Sequence, residues 1–200
     1  MLTNFTLDEE ESLRHWLDDV REGAGYLGIA DEEGWSQRHF KNIDELVSLL
    51  DSLKPNCALY VSMACYESPS IKRTQDNAAQ LCSFWLDLDS HGGGKYQNPE
   101  EALADLEKFI EHSNLPVPSY IHHTGHGIHA VWATSEAMST SEWLPKAQAL
   151  REIAEDFGLD VDGEVTTDAA RVLRIPNTIN FRDRAAPIGT KLLEAKPCLA

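Results

Sequence analysis

The stretch 81–89, LCSFWLDLD, limits what this chain can become more than any other. It is apolar, carries aromatic residues and ends in acids, which reads as a buried strand with two carboxylates at its mouth. Successive strand side chains point to opposite faces. Phe84, Leu86 and Leu88 then share one face, and Trp85, Asp87 and Asp89 the other. Two carboxylates this close on one rigid face repel each other unless a cation lies between them. Hard oxygen donors so placed suit Mg2+ or Mn2+, commonly together with substrate phosphates. The plainer reading is a solvated strand end.

Helices and strands follow one another around this stretch. Residues 7–20 read as an amphipathic helix capped by Thr6, with Leu13, Trp16, Leu17 and Val20 turned inward. Residues 26–30 read as a short strand and 36–40 as a turn. Asn42 caps a helix over 43–53, which Pro55-Asn56 ends. A strand over 58–64 leads into a polar loop, 66–75, that carries Lys72 and Arg73. Beyond the acidic strand come a loop with Gly92-Gly93-Gly94 and a helix over 99–113 with Pro99 in its first turn. Residues 119–133 read as a β-hairpin, 140–157 as a helix and 160–168 as acidic and irregular. Residues 169–174 are a short helix or strand, and 175–182 a loop leading to a strand. This order predicts an α+β fold with mixed, partly antiparallel sheets.

Length and composition agree with that fold. The chain has 200 residues, 42% of them apolar, enough for one domain with a true core. No apolar run is long enough to span a bilayer, and the first residues lack the basic start of a secretory signal. The four cysteines (57, 65, 82 and 198) form no CxxC pair, so a reduced, cytoplasmic setting without a zinc ribbon is expected. The formal charge is −16, so nucleic acid would be repelled unless the cations are gathered in one place. They are gathered: between 168 and 191 stand Arg171, Arg174, Arg182, Arg184 and Lys191, against Asp168 and Asp183.

Two further patterns carry chemistry. In Thr124-Gly125-His126-Gly127-Ile128-His129, the glycines let backbone approach a ligand and offer amides to an anion, and His129 stands where it can donate to a phosphate. An ordinary hairpin turn explains His122, His123 and His126 better, and a hairpin does not gather 123, 126 and 129 around zinc. In the second pattern, Arg171 and Arg174 on one helical turn would share a face and clamp a phosphate. A salt-bridged helix, with Arg171 on Asp168, explains the segment equally well.

Taken in order, FWLDLD, TGHGIHAVW and VDGEV…ARVLRIPNTIN resemble the three motifs of the archaeo-eukaryotic primase superfamily, and most of all the primase-polymerases of phages, plasmids and mobile elements. Asp87 and Asp89 match the first motif, Gly127-Ile128-His129 the second and Val161-Asp162 the third; Arg171 through Asn180 match the stretch that follows. Asn177 departs from the usual glycine and Thr124 from a common serine. The resemblance spans about 83–182. It implies a single catalytic domain: an N-terminal α/β unit over 1–80 and a catalytic module over 81–200 with an RNA-recognition-motif-like strand arrangement. A chain without zinc stem or helicase domain would then be a piece of a larger protein. It further implies template-directed nucleotidyl transfer on single-stranded DNA with primer, nucleoside triphosphates, and helicase or other replication partners. Asp87, Asp89 and Asp162 would be catalytic and hold Mg2+ or Mn2+. His129, Arg171 and Arg174 would bind the nucleotide, with Thr124, Gly125, Gly127 and Arg73 beside it.

Two other readings stand. An aspartyl-nucleophile phosphotransferase or hydrolase also ends an apolar strand in DxD, but gives the hairpin and the arginine pair no role. A non-catalytic nucleotide-binding replication module would keep the fold without turnover.

Overall fold

The computed structural model describes residues 9–53, 57–90 and 94–195. The expected Thr6 cap, the Pro55-Asn56 helix end, Gly92-Gly93 and Cys198 lie outside them.

α1 (Glu9–Val20) buries Leu13, Trp16, Leu17 and Val20, as their spacing predicts. β1 (Gly25–Ala30) and β2 (Trp35–Phe40) form an antiparallel ladder, from Gly25 opposite Phe40 to Ala30 opposite Trp35. The turn expected over 36–40 is therefore strand. WSQRHF is mostly exposed and polar, so no apolar alternation marks it; backbone pairing with β1 makes it a strand. α2 (Ile43–Leu53) starts where Asn42 Oδ1 accepts the Glu45 N–H at 3.0 Å. β3 (Ala58–Ser62), β4 (Gln80–Asp89) and α3 (Pro99–His112) follow. The hairpin is β5 (Tyr120–His123) with β6 (Gly127–Ser139), and β6 runs past its expected end at 133 until the Ser139 capping box starts α4 (Thr140–Phe157).

The segment expected to be irregular, 160–168, holds a single-turn helix, α5 (Gly163–Thr167), capped by Asp162. β7 (Val172–Arg174), β8 (Ile179–Asn180), β9 (Ile188–Gly189) and β10 (Lys191–Ala195) close the chain.

Two four-stranded sheets result, in the orders β2-β1-β3-β7 and β10-β5-β6-β4, with β8–β9 as a small ribbon. The class is α+β, and every ladder among the described residues is antiparallel. The first sheet does not end near residue 80: the chain returns to it through β7, which pairs with β3.

Alternation along β4 divides two cores. Trp85 packs with α1, α2 and the inner face of the first sheet, beside Trp16, Leu59, Val61 and Trp143. Leu86 and Leu88 pack on the other side with Leu106, Phe109 and Ala154 of α3 and α4. β4 thus lies between two apolar layers and delivers Asp87 and Asp89 at its end. No helix among the described residues is long and apolar enough to cross a membrane.

Candidate active site

Pairing of β4 with β6 sets Asp87 opposite His129 and Asp89 opposite Gly127. His129 Nε2 lies 3.4 Å from Asp87 Oδ1, an ion pair when the ring is protonated. Burial pushes the Asp87 carboxyl up. The His129 charge and hydrogen bond, with Arg171 and Arg174 nearby, outweigh it and hold the group below the usual carboxylate value. Asp87 is therefore ionised at neutral pH. These two acids and His129 line one cavity of about 150 Å3, whose wall also includes Tyr60, Thr124, His126, Arg171, Arg174, Asn180 and Arg182.

Arg171 and Arg174 reach this cavity by a route the sequence did not suggest. They do not share a helical turn: β7 is a strand, and Arg171 lies just before it. The turn that feeds β7 is closed by the Arg171 N–H on Asp168 O (2.9 Å), and Asp168 Oδ1 accepts the Ala170 N–H (2.8 Å) instead of pairing with Arg171. Arg174 stands opposite Tyr60 on β3, donates from Nη2 to its hydroxyl at 2.6 Å and lies 4.5 Å from the ring centroid. Burial draws the Arg174 pKa below its ordinary value, against the opposing pull of Tyr60, Asp87 and Asp89.

The Gly125 amide, expected to face an anion, is turned into the hairpin instead. The Thr124 N–H donates to Gly127 O (2.9 Å) and the Gly125 N–H to His123 Nδ1 (3.0 Å), so both are used within the turn. Gly125 has φ +101°, and a Cβ there would meet Asn180 Nδ2 at 2.8 Å. A Cβ on Gly127 would run into the Leu88 carbonyl oxygen. The glycines allow close packing, and neither lines the cavity; Thr124 does.

Asp162 stands beside Asp87, since its N–H donates to Asp87 O at 2.9 Å. Its carboxylate is engaged otherwise: Oδ1 accepts the Val165 N–H at 3.0 Å and caps α5, and Asp162 does not line the cavity. Asp160, two residues earlier, accepts the Lys95 N–H through Oδ2 at 2.6 Å. Arg73 is away from the wall as well. It donates to Gln37 Oε1 at 2.8 Å and to the Ala170 carbonyl, bracing β2 against the turn before β7.

Tyr60 and Asn180 are wall residues with no site role expected from the sequence, and His126, expected only as a turn residue, and Arg182, expected only among the gathered cations, join them there. Tyr60 had a signal, since it alternates with the buried Leu59 and Val61 and so faces out of the sheet. Asn180 lies at the end of the quoted third segment.

The two strand-borne carboxylates suit a hard divalent cation whose other ligands would be phosphate oxygens. No cluster of three metal-binding side chains occurs among the described residues. The fit therefore rests on Asp87 and Asp89, with Asp162 behind them.

Comparison with solved structures decides the fold. The chain superposes on the primase-polymerase AEP domain of cyanophage S-2L with TM-score 0.64, over 95% of this chain and 92% of that one, at 15% identity. The chain has the archaeo-eukaryotic primase fold. The primase RepB' matches with TM-score 0.63 over 96% of this chain and 58% of that one, at 14% identity. A replication protein of Clostridium perfringens is 27% identical over 178 residues, 86% of this chain. The chain spans 41% of the length of that curated relative. No protein-family profile matches it.

Proposed function

We propose that the chain is the catalytic part of a DNA primase-polymerase, a template-directed nucleotidyltransferase that makes or extends primers on single-stranded DNA. The observation that carries this reading is the meeting of Asp87, Asp89 and His129 with Arg171 and Arg174 around one cavity, in a chain of archaeo-eukaryotic primase fold. A RepB' catalytic domain of the same fold has been solved with initiator DNA, which supports DNA as the partner here.

Six of the wall residues have a physical task in this reading. Arg171 and Arg174 neutralise the triphosphate, and Tyr60 fixes the guanidinium of Arg174 in advance. His129, whose Nε2 faces Asp87, stands on the wall against which the triphosphate would lie. Asp87 and Asp89 would hold Mg2+ or Mn2+, with Asp162 as the third acid. When bound, the ion supplies charge neutralisation at the leaving pyrophosphate and activation of the attacking hydroxyl. The aspartyl-phosphate alternative calls for a parallel sheet, whereas the ladders described here are antiparallel.

Primer extension on a single-stranded template with nucleoside triphosphates and Mn2+ or Mg2+ tests the reading. Wild type gives extended products, and the double variant Asp87→Ala, Asp89→Ala gives none. Equal synthesis by both, or tight triphosphate binding with no turnover by wild type, rejects it; the second result favours a non-catalytic nucleotide-binding module.

A further inference from the structure

The outer face of the first sheet carries a row of side chains that runs from Arg174 and Tyr60 of the candidate active site to Trp35. Trp35 on β2 pairs with Ala30 on β1, Gly28 on β1 pairs with Tyr60 on β3, and Tyr60 pairs with Arg174 on β7. Directly paired residues share a face, so these side chains lie opposite Leu27, Ile29, Leu59 and Val61, which fill the core.

Trp35 is 47% exposed, an unusual position for an indole. Its ring lies across Gly28, where a Cβ would meet it at 2.5 Å, and its centroid is 5.3 Å from that of Tyr60. The absence of a side chain at 28 therefore seats the indole. Beside this row opens a second cavity of about 310 Å3, walled by Tyr60, Arg174, Phe181, Arg182 and Arg184. It shares Tyr60, Arg174 and Arg182 with the candidate active site, so the two adjoin. The other end of the sheet face is closed: Tyr26 donates to Ile71 O at 2.5 Å, and Arg73 holds Gln37.

We propose that this open half of the sheet is a groove for single-stranded nucleic acid, with a base stacked on Trp35 and phosphates on Arg182 and Arg184. An exposed indole offers a flat face to any base, and guanidiniums fit phosphate oxygens. Arg182 and Arg184 repeat along an exposed stretch, which suits the repeated charge of a strand better than one triphosphate. In a chain of charge −16, a polyanion is held only where cations gather, and these belong to the gathered set. Acids at 31–33 bound the groove at the β1–β2 hairpin, where Glu32 lies 3.9 Å from Arg184.

The groove rests on the proposed function for its link to chemistry, but binding without nucleotides tests it separately. Fluorescence anisotropy of a labelled short oligothymidylate is measured with the whole chain. Trp35→Ala weakens binding about tenfold or more, whereas Trp35→Phe, which keeps a stacking ring, stays within about threefold of wild type. Arg184→Gln lowers the slope of log affinity against log salt by about 0.7. Binding of a fluorescent deoxynucleoside triphosphate is unchanged by Trp35→Ala. Wild-type oligonucleotide affinity in Trp35→Ala overturns the proposal. So does a matching loss of triphosphate binding, which would make the groove a seat for the incoming base. A chain that binds the oligonucleotide through Trp35 yet transfers no nucleotide upholds the groove and overturns the activity.

Discussion

Gly125 and His122 both sit in the hairpin but answer to different forces. At φ +101°, Gly125 adopts backbone that side chains rarely tolerate, and Asn180 fills the space where a Cβ would go. Asn180 Nδ2 in turn donates to Thr124 O at 2.8 Å, which ties β8 to the turn. Gly125→Ala is therefore expected to cost about 1–3 kcal/mol, read as a lower urea midpoint at unchanged m-value. His122 is fully buried, with its ring edge-on to His129 at 4.7 Å between centroids. Burial, then the charges of His129, Arg174 and His123, push its pKa well below the usual histidine value. The sign follows from linkage. Unfolded His122 takes up a proton below about pH 6.5 and folded His122 does not, so its contribution is whole above that pH and is lost as pH falls. Wild type should lose stability between about pH 7 and pH 5 in thermal melts. His122→Phe should lose visibly less over the same interval. The Asp87 carboxyl, whose pKa is lowered, acts in a more acid window, below the ordinary carboxylate value, so the two groups separate along the pH axis.

At the scale of elements, α5 decides how the third acid is read. The Trp85 indole N–H donates to Val165 O at 2.8 Å, and the Asp162 N–H binds Asp87 O, so this single turn is fastened to β4 at two points. Asparagine caps a helix as well as aspartate does, whereas alanine forfeits about 1 kcal/mol. Asp162→Asn should then melt like wild type and Asp162→Ala lower. If the carboxylate serves the reaction, primer extension by Asp162→Asn falls about 10- to 100-fold despite its intact fold. Full extension by that variant would leave Asp162 a cap alone. The same elements show what a sequence can tell. Asn42 and the periodic apolar residues announce α2, and the apolar repeat announces α4, because caps and the 3.6-residue repeat are local signals. β2 announces nothing, because a polar edge strand is made by its partner's backbone. Asp87, Asp89 and His129 could be placed in advance, since strand alternation and a short hairpin fix them. Arg171 and Arg174 share no helical turn; they meet at the site because β7 crosses back to β3, a contact between residues far apart in the chain. Tyr60 and Asn180 belong to the site by the same long-range return.

For the whole molecule, the question is whether a boundary near residue 80 separates two folding units. The packing argues against it. Trp85, Tyr120, Val131 and Trp143 from beyond that point share one core with Leu13, Trp16, Leu59 and Val61 from before it. β7 supplies the edge of a sheet whose other strands all lie within the first 62 residues. Cutting the chain at 80 would expose one face of β4 and leave β7 without β3, and each large side chain left in water forfeits roughly 1.5–3 kcal/mol of burial. Domain stability is on the order of 5–15 kcal/mol, so a few such losses suffice to unfold the remainder. The intact chain should then unfold in one cooperative transition, with near-UV and far-UV circular dichroism coinciding. The fragment 81–200 should show no sharp melt. A fragment that melts cooperatively alone would instead establish two units and confine the shared core to a docking interface.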